Sequence, residues 1–154
     1  MNWLQFAVQW LHVLLAITWF GYAISMHYFV APALRALPEA EARATNWRLG
    51  EIGLRAFPII SALVLILGVL RGTVFGRIQS FEALTTTYGI LFLIALLGTL
   101  GLIFTGARFI GPIMSGLRDA PDFGASMARL ERISRIDLGL FAIVFTCMIL
   151  MRFL

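Results

Sequence analysis

Four apolar stretches, at roughly 3–30, 56–70, 88–107 and 138–154, constrain this chain more than any motif does. A hydrocarbon core of about 30 Å needs about 20 helical residues. Each stretch can supply that length as a helix, the second once it recruits residues from 50 onward. Within lipid every backbone polar group must be paired inside the protein, so such stretches form helices. Composition agrees, with 60% of the 154 residues apolar and 13% charged. The expected fold is all-α, an integral membrane four-helix bundle. It forms a single transmembrane domain over 1–154, with helices at about 3–30, 50–72, 84–110 and 127–153. The first stretch has no basic start and no small-residue cleavage site before Pro32, so it reads as a retained span rather than a removable leader.

A net charge of +4 would suggest nucleic acid in a soluble protein, but here the charges sit in connections and at helix ends. The expected partner is therefore a lipid membrane, with no nucleic acid. Arg35, Arg43, Arg48 and Arg55 fall in or beside the first connection, and Arg108, Arg118, Arg129, Arg132 and Arg135 in or beside the third. The second carries only Arg71 and Arg77. By the positive-inside rule the first and third connections face the cytoplasm and both termini face outward. Cys147 is the single cysteine and lies in an apolar run, so it has no intrachain disulfide partner and reads as a buried, inert thiol.

The Ala31-Pro32 pair predicts the end of the first helix near Val30. Glu39 to Leu54 reads as a helical extension of the second span, with Pro58 bending it. Gly98, Gly101 and Gly106 predict close helix packing on the third span. Ser126 to Asp137 reads as an amphipathic lead into the fourth. No sequence repeat stands out.

An ionisable side chain at membrane depth is a functional candidate by default, and His12 is such a residue. Positions 12, 16, 19, 23 and 26 form one helical stripe, which puts His12 on a face with Ala16, Trp19, Ala23 and Met26. A histidine beside a small residue and an indole can admit a flat macrocycle, with Nε2 as an axial iron ligand. A histidine that only hydrogen-bonds a neighbouring helix is the alternative. His27 lies fifteen residues on, about 22 Å along the axis at 1.5 Å per residue, so the two cannot bind one metal. Its readings are a second haem, a propionate contact or a place among headgroups. Met148 is the candidate second axial ligand, against a gap-filling core side chain. Arg55, Arg108 and Arg135 are candidates to receive propionates or polarise a quinone carbonyl, against snorkelling to lipid phosphates. Asp137 is expected to pair with Arg108 or Arg135, with proton transfer as its alternative role.

The chain resembles the HemJ-type protoporphyrinogen oxidases and the related copper-resistance D (CopD) membrane domains. Leu11-His12-Val13 followed by Ile17-Thr18-Trp19-Phe20-Gly21 carries the main likeness. Leu54-Arg55-Ala56-Phe57-Pro58, Thr87-Tyr88-Gly89 and Met151-Arg152-Phe153 extend it across the four-helix plan. The resemblance implies a b-type haem on His12, oxidation of protoporphyrinogen IX coupled to a respiratory chain, and a place in the bacterial inner (plasma) membrane. One departure bears on activity. Family members usually carry a lysine inside helix 3, where this chain has Ala95, and all 12 of its basic residues other than histidine are arginines.

These observations converge on a haem b protein with a redox or electron-transfer role, with HemJ-like porphyrinogen oxidation as its enzymatic form. Its partners would be a quinone or porphyrin-like substrate and a second copy or a larger membrane complex. A CopD-like copper handler using His12, Met26, Cys147, Met148 and Met151 is one alternative. A cofactor-free structural subunit of a larger complex is the other.

Overall fold

The computed structural model describes residues 2–154. Four helices run up, down, up and down: α1 (Trp3–Arg35), α2 (Glu39–Gly72), α3 (Thr87–Gly116) and α4 (Phe123–Phe153), each long and apolar enough to cross a membrane. No strand occurs among the described residues. Both termini and the 73–86 connection share one end of the bundle, here the terminal end. The two short connections, 36–38 and 117–122, mark the other, here the connection end.

Local chemistry sets the helix starts. The Asn2 side chain accepts from the backbone N–H groups of Leu4 (3.1 Å) and Gln5 (3.4 Å). Thr86 accepts from Gly89 N–H at 3.1 Å and Asp122 from Ala125 N–H at 2.8 Å. Each side chain thus satisfies first-turn donors that have no partner within the helix. At the far end of α3, the Arg43 guanidinium donates to the carbonyls of Leu117, Arg118 and Ala120 at 3.3, 3.3 and 2.9 Å. A cation there complements the negative end of the helix and ties α2 to the third connection.

Two helices run further at the connection end than the sequence predicts. α1 continues past Val30 through Pro32 to Arg35, and α3 past 110 through Pro112 to Gly116. Both prolines follow a single π-helical turn, Met26–Val30 and Gly106–Ile110. In each, an N–H reaches back five residues, Ala31 to Met26 and Gly111 to Gly106. A wider turn before a proline accommodates its ring and its missing N–H, so the helix need not stop. The pair also reveals a short internal likeness: Phe29-Val30-Ala31-Pro32 and Phe109-Ile110-Gly111-Pro112 occupy corresponding places on α1 and α3. α2 begins at Glu39, where the sequence places the helical extension of the second span, α4 begins at Phe123, ahead of 127, and α3 begins at Thr87, preceded by a 3₁₀ turn over Glu82–Thr85.

The tightest packing lies between α3 and α4, around Ala95, Leu102, Phe141, Val144 and Cys147. Gly98 permits it, since a Cβ there would stand 2.7 Å from Val144 Cγ2. Gly101 and Gly106 are different. A Cβ on Gly101 meets only ordinary contact with Leu140 and one on Gly106 meets nothing within 4 Å, because Gly106 opens a π turn instead. Large apolar side chains such as Trp3, Trp10, Phe29, Phe104 and Phe153 point outward, as a lipid environment requires.

Candidate functional site: two stacked cavities

Two cavities follow the bundle axis. The first, about 430 Å³, lies toward the terminal end, and the second, about 780 Å³, toward the connection end. Both fall within the range of small-molecule and cofactor sites, about 300–1,000 Å³. Trp19, Leu65, Leu102 and Phe141 line both and form a shelf between them. Trp19 meets Phe141 edge to face, with ring centroids 5.2 Å apart.

The stripe on α1 runs along this axis. Ala16 and Trp19 line the first cavity with His12, while Ala23 and Met26 line the second. Extended backward by the same steps of four and three, the stripe reaches Gln9 and Gln5, which also line the first cavity. That signal was present in the sequence and identifies polar neighbours of His12 that the apolar reading passes over.

His12 is 6% exposed, and its Nδ1 lies 3.1 Å from the carbonyl oxygen of Val64 on α2. Only a ring N–H can pair with a carbonyl, so Nδ1 carries a proton, and in the neutral ring Nε2 then keeps its lone pair. Among the described residues nothing hydrogen-bonds Nε2. Gly68 allows this seat, since a Cβ there would stand 3.1 Å from the imidazole Cε1. A ring held through one nitrogen by a backbone carbonyl, with the other free, is the usual arrangement of a metal-ligating histidine.

Met148 and Met151 line the same cavity, and so does Ala95. Cys147 does not; it is buried between α3 and α4. Three guanidinium groups, Arg71, Arg77 and Arg152, lie along the lining, and no carboxylate does. Gln9 Oε1 accepts from Arg71 Nε at 2.5 Å, and Arg77 lies over the Tyr88 ring at 5.7 Å and donates to the Leu154 carbonyl. The donor set fits an iron porphyrin: one imidazole nitrogen free, thioethers in the same chamber, aromatic walls, and cations for two carboxylates.

The arginines singled out from the sequence stand elsewhere. Arg55, Arg108 and Arg135 line neither cavity. Arg55 pairs with Glu51 on the α2 surface, Arg108 lies over Phe109, and Arg135 is 3.9 Å from Glu131 with its side chain largely exposed. Helical position placed them near the connection end, but their faces turn outward. Asp137 pairs with neither Arg108 nor Arg135; it accepts from Thr105 Oγ1 at 2.8 Å. His27 lines the second cavity, so the two histidines open on different chambers, and its Nδ1 is buried without a partner.

The second cavity has a largely apolar wall interrupted by Asn46, Glu131 and Asp137. Glu131 is ion-paired to Arg35. Among the described residues no group of three His, Cys, Asp or Glu side chains could hold a metal ion. No protein-family model matches the chain, and no curated protein or solved structure does either.

Proposed function

We propose that this chain is a membrane-embedded haem b binding protein with a redox or electron-transfer role, His12 supplying an axial ligand. The observation that carries the reading is the His12 ring, fixed through Nδ1 on the Val64 carbonyl and free at Nε2 within a cavity. When bound, haem b would supply one-electron chemistry at its iron. The residues of this chain would bind and orient it. Trp19 would border it, Met148 would offer it a thioether, and Arg71, Arg77 and Arg152 would meet its carboxylates. Gln9 steadies Arg71 from the α1 side.

Electron transfer takes precedence over HemJ-like porphyrinogen oxidation in this proposal, because Ala95 lines the same cavity and offers no amine. The proposed redox partner is a lipid-soluble quinone or porphyrin-like donor. A second copy, or a larger membrane complex, would complete the cover around the macrocycle. The proposed setting is the bacterial inner membrane, with the arginine-rich connections inside and both termini outside.

The test is the absorption spectrum of detergent-purified protein from haem-replete cells, oxidised and dithionite-reduced, beside the His12→Ala variant. Sharp reduced b-type bands, lost in the variant, are expected. Colourless wild-type protein would overturn the reading. A Cu(I) site is the second reading, favoured by His12, Met148 and Met151 sharing one cavity. Copper retained in His12→Ala but lost in a Met148→Leu/Met151→Leu double variant would put copper ahead of haem.

A further inference from the structure

The second cavity differs from the first in charge and is not needed for the haem reading. Its wall is mostly apolar, and its lining includes two carboxylates and no arginine. Glu131 already has a cation in Arg35. Asp137 has none: it is 7% exposed, its one hydrogen bond comes from Thr105, and no basic side chain reaches it among the described residues. A carboxylate at membrane depth calls for a counter-charge or a donor. An independent observation points the same way. Asn46 is 1% exposed, lines this cavity, and its Oδ1 has no hydrogen-bond partner. Buried acceptors left open are rare, and each implies a missing donor.

We propose that the second cavity is a binding site for an organic ammonium ion with an apolar body and a hydroxyl or amide N–H at its far end, its cationic head on Asp137, its body against the walls and its far donor turned to Asn46 Oδ1. The ammonium supplies the charge and the N–H donors that the chain withholds from Asp137, while Phe57, Leu102 and Met127 receive the hydrocarbon. A volume of about 780 Å³ suits a ligand of one or two rings with a short chain. Anions are disfavoured at the Asp137 end, because Asp137 has no cationic partner and the lining carries no arginine; His27 is the one basic side chain on it.

The experiment uses full-length protein in nanodiscs of zwitterionic lipid, with empty nanodiscs as the blank. 4-Phenylbutylamine and its neutral counterpart 4-phenylbutan-1-ol are titrated calorimetrically at neutral pH. Saturable amine binding, at least about tenfold tighter than the alcohol, is expected. Asp137→Asn should remove that preference, and Ser134→Phe, which fills the space one turn before Asp137, should abolish binding of both. The proposal is overturned by amine binding no greater than the blank, by equal affinity for amine and alcohol, or by a folded Asp137→Asn protein that keeps the preference. The amine and alcohol comparison on the unaltered chain decides the matter even where a variant does not fold. Haem content reports on the first cavity, whose lining does not include Asp137, so failure here and failure of the haem reading remain distinguishable.

Discussion

The two cavities share a wall and almost nothing else. The one toward the terminal end gathers Arg71, Arg77 and Arg152 around His12, with no carboxylate on its lining. The one toward the connection end gathers Glu131 and Asp137, with no arginine. The chain's net charge of +4 says nothing of this division. A bundle this small sorts its buried charge by which helix face turns inward, and the outward faces, carrying Arg55 and Arg108, balance the whole against lipid and water. What the difference teaches is that ligand sign is set locally, by a few side chains per chamber.

The comparison can be broken most directly at His12. His12→Ala should remove haem from the first cavity entirely, read as loss of the reduced b-type bands, while 4-phenylbutylamine binding in the second stays within about twofold. Loss of both would mean that the chambers are one site. Next in size is the shelf. Phe141 is buried and touches Trp19 and Phe20, so Phe141→Ala should cost about 3–5 kcal/mol, seen as a lower midpoint of unfolding in detergent. An unchanged midpoint would show that the shelf contributes nothing to stability. Arg71→Gln tests the sign of the first cavity: haem affinity should fall about tenfold, as expected for one charge-assisted contact, with no change for the amine. The smallest effects belong to Arg55→Gln and Arg108→Gln, each within about 0.5 kcal/mol of the parent and neutral for both ligands. A tenfold loss of haem in either would return these arginines to the site.

Fold class was legible because lipid leaves an apolar stretch of this length little choice but to be a helix. The α1 stripe was legible for a similar reason: one helix needs only its own period to define a face, and 12, 16, 19, 23 and 26 do line the cavities. Helix ends at the terminal end were legible at Trp3, Gly72 and Phe153, whereas those of α1 and α3 at the connection end were not. Ala31-Pro32 reads as a stop and the third span as ending at 110, but a π turn before Pro32 and another before Pro112 accommodate the rings and the helices pass. The cationic lining was hidden too, because Arg71, Arg77 and Arg152 come from the end of α2, a loop and the end of α4, and meet only when the bundle closes. Asn46 and Asp137 were obscured in the same manner, since their inward orientation depends on how α2 and α4 pair with their neighbours. The partner expected for Asp137 was chosen by proximity along the chain, whereas the fold brings Thr105.

The shelf has a consequence of its own. Trp19, Leu65, Leu102 and Phe141 face both chambers at once, so a substitution at any of these four positions reshapes two walls together, and a change made there is felt by whatever occupies either side.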